Sequence, residues 1–358
     1  MMVLPASALA GNLPPVQTVF MILMENHKWS DIKGSTDAPY INNILLPMAS
    51  YCEQYSSPLN PSLPNYLWLE AGTSFGINDD ADPSVNHQAS TNHLVTLLNN
   101  AGISWKSYQE DISGSYVPLT STNGYAPRHN PFVYFDDVTG TNDPNYSYGI
   151  AHIRPCSELA SDLTNNTVAR YNFIAPNLCD DMHDSCAPLS SPVRQGDDWL
   201  SREVPKILNS PAYKNGGAVF VTWDESKVGD VPIGMIVLSP LARGGGYSNN
   251  VHYSHSSTLR TVEEIFGVSP LLGDAANATD LSDLFAVLAI RNPTKNSGGF
   301  EMTIVNAIFW KTNFIQASTD LATWTSISTN VNLTNIFTVT DAAATNFNQR
   351  FYRVLQLP

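Results

Sequence analysis

Asn60-Pro61-Ser62-Leu63-Pro64-Asn65-Tyr66-Leu67 places a serine hydroxyl between two prolines. Proline fixes its own φ and restricts the residue before it, so Ser62 is predicted on a rigid, exposed turn. A helical stretch, YLWLEAG, follows. A hydroxyl at a helix N-terminus feels a positive potential that favours its alkoxide and a bound phosphate. Asn65, three residues on, could donate its side-chain amide to a phosphoryl oxygen. The competing use of such a serine is an ordinary N-cap.

Four further clusters carry polar chemistry. Glu25-Asn26-His27 pairs a carboxylate with an amide, and both can offer oxygen to a hard cation. The stretch from Asn177 to Asp184 (NLCDDMHD) packs three aspartates, one histidine and one asparagine into eight residues. Like charges this dense repel and predict a cation or an arginine nearby. Asp224-Glu225 is an adjacent acid pair, for which a helix N-terminus is the alternative use. Arg128-His129 could bind phosphate through a guanidinium and an imidazole. His255 precedes a predicted helix; His252, His87 and His27 are as readily structural.

The positioning elements are legible as hydrophobic runs. Residues 17–24, Tyr171 to Ala175, Ala218 to Trp223 and Ile233 to Leu238 are apolar and rich in β-branched or aromatic residues. Such runs read as fully buried strands. His93 to Ala101, Trp199 to Leu208 and Thr258 to Phe266 read as helices. Strands alternating with helices predict an α/β layer fold with a largely parallel sheet. Ligands then gather beyond the carboxyl ends of the strands. Three of the four runs end in acids or amides, at Glu25-Asn26, Asp224-Glu225 and Asn177. After Ile290 the texture changes. Residues 291–299 (RNPTKNSGG) read as a linker, and 300–358 as a small all-β module of Thr-, Val- and aromatic-rich runs.

Composition bounds the function. The chain has 358 residues, 43% of them hydrophobic, enough for a large core. Its formal net charge of -14 argues against nucleic acid or anionic membrane as a partner. An anionic substrate therefore needs a local positive centre, which a metal ion would provide. No run approaches the roughly 20 apolar residues of a membrane span, so stable membrane insertion is not expected. Residues 1–14 read as a signal-peptide remnant, with Ala8-Leu9-Ala10 as the small-residue step, or as a disordered tail. Four cysteines permit two disulfides in three connectivities. Cys179 and Cys186, close in sequence, are the pair expected to clamp a short loop.

In order, the segments MENHKWSDI, NPSLPNYLWLEAGTSFG, GISWKSYQED, RHNPFVYFDD, PNLCDDMHD, GDDWL, VTWDES and HSSTLRTVEEIFG resemble the phosphoesterase family of bacterial acid phosphatases and phospholipases C. That family is part of the alkaline-phosphatase-like superfamily. The resemblance runs from about Val16 to Gly267. It implies an alkaline-phosphatase-like three-layer α/β sandwich over residues 15–290. The C-terminal module loosely resembles the β-sandwich appendages of exported bacterial proteins, an accessory that could attach to a surface or glycan. By the same resemblance Ser62 is the nucleophile and Asn65 a phosphate-binding amide. Glu25, Asn26, Asp224 and Glu225 match metal ligands, with Ser62 Oγ as a further one. His129, His183 and His255 match histidines of the phosphate pocket, with Asp181 and Asp184 beside them. Asn60 departs from the family, where histidine is frequent. His252 competes with His255 for one position; Ser257, at the expected spacing, favours His255.

The function expected is metal-dependent hydrolysis of phosphate monoesters, acid phosphatase in type, through a phosphoserine on Ser62. His183 or His255 would protonate the leaving alcohol, and Arg128, His129, Asp181 and Asp184 would line the substrate. Oxygen ligation favours one divalent ion, Mg, Ca or Mn, with Zn or Fe if histidines coordinate. The substrate would be a small phosphorylated molecule and the protein secreted or periplasmic. Two rivals are a phospholipase C-like phosphodiesterase and a non-catalytic surface binding protein.

Overall fold

A computed structural model describes residues 13–227, 229, 231–286, 288–307, 312–331 and 336–356. Of residues 1–14, expected to be a signal-peptide remnant or tail, 1–12 lie outside the described ones. The chain divides into two compact units, Met1–Phe285 and Ala286–Pro358.

The first unit is built on an eight-stranded sheet of order β4-β3-β5-β1-β6-β7-β2-β8. Its strands are β1 (Thr18–Met24), β2 (Ser50–Ser56), β3 (Trp105–Gln109), β4 (Ile153–Pro155), β5 (Tyr171–Ala175), β6 (Gly217–Trp223), β7 (Met235–Leu238) and β8 (Tyr247–Ser254). The four strands read from apolar runs, β1, β5, β6 and β7, are buried at every position. They occupy the middle of the sheet, where both faces are covered and alternation is lost. β1 lies parallel to β5 and β6. β7 is the exception, antiparallel to both β6 and β2. Its end at Ser239-Pro240 therefore points away from the carboxyl ends of β1, β5 and β6. The run that lacked acids at its end is thus the reversed one.

Four helices matter to the site: α1 (Ser62–Ala71), α2 (Leu94–Asn100), α3 (Pro192–Asn209) and α4 (His255–Phe266). α3 begins seven residues before the predicted start at Trp199, with Pro192 in its first turn, where a missing N–H costs nothing. α4 starts at His255, fixed by a reciprocal capping box between Ser254 and Ser257. α1 ends at Gly72 with φ +65°. A Cβ there would lie 2.5 Å from the Leu272 carbonyl oxygen, so only glycine allows this stop. α1 and α4 are tied by the Trp68 indole donating to Ser256 Oγ at 2.7 Å. No helix among the described residues is long and apolar enough to cross a membrane.

The second unit holds two three-stranded antiparallel sheets, β13-β10-β9 and β12-β11-β14. The strands are β9 (Ala289–Asn296), β10 (Gly299–Val305), β11 (Thr312–Ser318), β12 (Thr325–Val331), β13 (Ile336–Asp341) and β14 (Phe351–Gln356). Met302, Ile304, Ile315 and Val339 form its core. Here the linker expectation fails. Residues 291–296 lie in β9, and Ser297-Gly298 is the turn into β10. Proline and asparagine break most strands, but β9 is an edge strand exposed from Arg291 to Asn296, where both are tolerated.

Candidate active site

Three chain segments leave the carboxyl ends of β1, β5 and β6 and meet. Glu25 follows β1, Asp181 lies on the loop after β5, and Asp224-Glu225 follows β6. Backbone hydrogen bonds lock this convergence. Glu25 N–H donates to the Asp181 carbonyl at 2.8 Å, and Asp224 N–H to the Met24 carbonyl at 2.9 Å. The fourth contributor is α1, which brings Ser62 to the cluster on its first residue. Ser62 Oγ donates to Glu25 Oε2 at 3.3 Å.

Asn26 sits among the acids with φ +47°. Its backbone N–H donates to Asp224 Oδ1 at 3.0 Å. With its nitrogen turned inward, its side-chain amide reaches Glu25 Oε2, Asp224 Oδ1 and Glu225 Oε1, each at 3.3 Å. The predicted quartet of Glu25, Asn26, Asp224 and Glu225 is therefore brought together beside Ser62. On its other side Glu25 Oε1 lies 3.2 Å from His129 Nε2, and His129 Nδ1 is 3.1 Å from Asp181 Oδ2. Glu25, His129 and Asp181 could together hold a metal ion. His129 and Asp181, expected in the phosphate pocket, lie against Glu25.

Electrostatics point the same way. Burial, then the neighbouring Asp224 and Asp181, pushes the Glu25 carboxyl well up. Asp181 and Asp224 are raised chiefly by burial. Burial, with Asp224 and Asp80 close by, raises Glu225 to about 8. Two like charges 4 Å apart repel by about 4 kcal/mol at an effective dielectric of 20. Several such pairs would consume a typical stability of about 5–15 kcal/mol. The cluster is thus compatible with a fold only when protonated or when it surrounds a cation. Asp224 Oδ2 and His129 Nε2 are buried without a hydrogen-bond partner, and Asn26 can turn its oxygen inward. This donor set fits a divalent cation.

Other expectations need correction. Ser62 is buried, with 3% of its surface exposed, and is not on an exposed turn. The prolines fix the start of α1, and the helix end is pressed into the carboxylate cluster. Asn65 is not free for a phosphoryl oxygen. Its amide donates to the Leu59 and Pro61 carbonyls and to Glu225 Oε2, and its oxygen accepts the Leu59 N–H. It ties down the loop that delivers Ser62. His255 is buried with both ring nitrogens engaged, Nε2 with the Asp224 carbonyl at 2.6 Å and Nδ1 with Tyr55 Oη at 3.1 Å. Burial lowers it to about 4, and with both nitrogens committed it is not placed to reach a leaving group. It props Asp224 instead. His252 lies on an exposed stretch of β8.

Of the three predicted histidines, His183 is the one that is not buried. Its side chain is 27% exposed, and Nδ1 is 2.7 Å from Asp184 Oδ1. Asp184 is half-exposed and orients His183 rather than lining the cluster. The ring of His183 lies 5.8 Å from that of His129. Arg128 faces Asp80, Nε to Oδ2 at 3.9 Å. The expected disulfide, Cys179–Cys186, closes the loop that carries Asp181 and His183; Cys52 and Cys156 are free.

Sequence reasoning missed Tyr66 and Asp80. Tyr66 Oη donates to Glu25 Oε1 at 2.6 Å, and its ring stacks on His129 with centroids 5.2 Å apart. Its signal was available: it lies four residues after Ser62, on the same helix face. Asp80 accepts the Leu63 N–H at 2.9 Å from a loop that carried no motif.

A model of the Phosphoesterase family matches residues 36–269. The chain belongs to the Phosphoesterase family. It is therefore a hydrolase acting on phosphate esters. It is 30% identical to a phosphatidylinositol-3-phosphatase of Mycobacterium tuberculosis over 77% of this chain and 85% of that one. It is 26% identical to a probable acid phosphatase of Kluyveromyces lactis over 74% of this chain, and spans 64% of that protein's length. A solved structure, described as a protein in the alkaline phosphatase superfamily from Vibrio parahaemolyticus, superposes with a TM-score of 0.51 at 11% identity. It covers 82% of this chain and 77% of its own, and shares the alkaline-phosphatase-type fold.

Glu70 extends the Ser62-Tyr66 face of α1 one further turn. It is fully buried, accepts from Tyr171 Oη, and leaves Oε2 without a partner. Burial raises it to about 8 from an ordinary 4.5. A raised folded-state value stabilises the protein fully below the unfolded value, and that gain is lost as pH rises through the folded one. The melting temperature is expected to fall between about pH 5 and about pH 8, by on the order of 2–4 kcal/mol in stability. Glu70→Gln should flatten that slope in a thermal-denaturation series; an unchanged slope would show that Glu70 is ionised in the fold.

Proposed function

We propose that this protein hydrolyses phosphate monoesters with Ser62 as nucleophile, in a reaction that depends on a divalent cation at the carboxylate cluster. The observation that carries the reading is Ser62 Oγ on Glu25 Oε2, at a helix N-terminus inside a ring of buried acids. The phosphatase names of both relatives support the monoester.

Glu25, Asn26, Asp224 and Glu225 would hold the cation, with His129 and Asp181 closing the other side of Glu25. The bound ion supplies neutralisation of the acids and a lowered pKa for the Ser62 hydroxyl. Ser62 Oγ gives up its proton toward Glu25 Oε2 and attacks phosphorus, forming a P–O bond as the ester P–O bond breaks. Arg128 and the first N–H groups of α1 face the phosphoryl oxygens as charge shifts onto them. His183, oriented by Asp184, donates its proton to the departing alcohol oxygen. The same imidazole then takes a proton from water as it attacks phosphorus, the P–O bond to Ser62 breaks, and Glu25 returns its proton to Oγ. Asn65, His255 and Tyr66 position the groups that react. We assign the chemistry to residues 15–290. The Cys179–Cys186 disulfide suits an exported protein.

The test is a substrate comparison on chelated and metal-restored enzyme. An aryl monophosphate should turn over, lose its turnover on chelation and regain it with Mg²⁺, Ca²⁺ or Mn²⁺, while a phosphocholine diester reacts far more slowly. Indifference to prolonged chelation would remove the cation from the account. A preference for the diester would make the protein a phosphodiesterase.

A further inference from the structure

α1 lacks a side-chain cap of its own, because Pro61 stands at the N-cap. The N–H of Leu63, the residue after the nucleophile, is instead taken by Asp80 Oδ1 at 2.9 Å. That N–H is one of the helix-end donors that would meet a phosphoryl oxygen beside Ser62. An anion therefore already sits there, and it belongs to the protein. The helix end favours this carboxylate, but the acids beside Ser62 oppose it. Asp80 adds to the burial that raises Glu225, so it stands close to a cluster already crowded with acids. Its second oxygen makes one longer contact, with Arg128 Nε at 3.9 Å, and its side chain is 34% exposed. Among the described residues, no set of hydrogen bonds like that of Asn65 holds it.

We infer that Asp80 is a displaceable stand-in for the substrate's phosphoryl group, holding the Leu63 N–H in the free enzyme and transferring to Arg128 when phosphate arrives. The inference rests on the Ser62 reading, which fixes where the phosphoryl group lies. The exchange involves no covalent change. One hydrogen bond to the Leu63 N–H passes from carboxylate to phosphate, and the released carboxylate closes the 3.9 Å gap to the guanidinium. The fork of Arg128 has donors for both partners. Asp80 thereby sets affinity. A competing carboxylate weakens apparent binding in proportion to the fraction of time it holds the seat. It also keeps the N-terminus of α1 satisfied while Ser62 waits, buried, for substrate.

The test is binding of inorganic phosphate to the metal-loaded protein, measured by calorimetry and as competitive inhibition of aryl phosphate turnover. Asp80→Ala should bind phosphate about tenfold more tightly, about 1.4 kcal/mol, with a KM for the monoester lowered in parallel. Asp80→Asn keeps an acceptor on Leu63 but removes the charge, and should gain less. Thermal denaturation of each variant separates a lost cap from a vacated seat. Unchanged or weaker phosphate binding in a folded Asp80→Asn or Asp80→Ala protein would make Asp80 a structural cap and overturn the inference. Absence of phosphate binding to wild type and variants alike would sink the Ser62 reading itself, and this inference with it.

Discussion

Ser62→Ala is expected to lower kcat for an aryl phosphate by on the order of 10³- to 10⁵-fold while the fold persists. The magnitude follows from what the hydroxyl does. Without Oγ the two-step displacement is unavailable, and only direct attack by water in a charge-stabilised site remains. The structural effect should be small, because Oγ bonds only weakly to the acids beside it, Glu25 at 3.3 Å and Asp224, and the N-terminus of α1 is capped from outside by Asp80. Melting temperature and circular dichroism should therefore match wild type. The residual rate should still fall on chelation, since the cation ligands remain. Wild-type turnover in a folded Ser62→Ala protein would remove the nucleophile from the account.

The second large effect combines loss of activity with gain of stability. Asp224 is fully buried, carries an oxygen without a partner, and stands against Glu25, Glu225 and Asp181. In metal-free protein these acids must take up protons to coexist, because close charged pairs would repel by about 4 kcal/mol each at an effective dielectric of 20, and Asp224→Asn lessens that cost. The chelated variant should melt several degrees above chelated wild type near neutral pH. Added divalent ion should raise the melting temperature of wild type strongly and of Asp224→Asn little, because a ligand stabilises only the state that binds it. Turnover should fall at least 100-fold. Thermal melts of both proteins with and without metal check all of this. A chelated Asp224→Asn that is less stable than wild type would show that crowding these acids costs the metal-free fold nothing.

The legibility of the fold was uneven, and the reason is burial. β1, β5 and β6 are buried on both faces, so the apolar runs marked them and the acids at their ends marked the site. β2 and β8 carry mixed polar sequences, SYCEQYS and YSNNVHYS, and no run revealed them. β9 was hidden for the opposite reason: its exposed edge tolerates the Asn-Pro-Thr-Lys sequence of a loop. At the site, residue types identified Glu25, Asn26, Ser62, Asp224 and Glu225. Types alone did not distinguish a group that touches the reacting centre from one that holds it. Asn65 and His255 have the right chemistry, yet their hydrogen bonds are spent on Leu59, Pro61, Tyr55 and the Asp224 carbonyl. Such commitments are set by long-range packing, across 200 residues between Tyr55 and His255, and leave no local signature. Asp80 shows the converse, an unremarkable loop acid that tertiary structure sets against the nucleophile's own helix.

The most direct measurement is a rapid acid quench of metal-loaded enzyme turning over a phosphorus-labelled monoester, with the labelled peptide mapped by mass spectrometry. The account predicts acid-stable label on Ser62 alone. Label on another residue, or no covalent label under conditions of steady turnover, would contradict it.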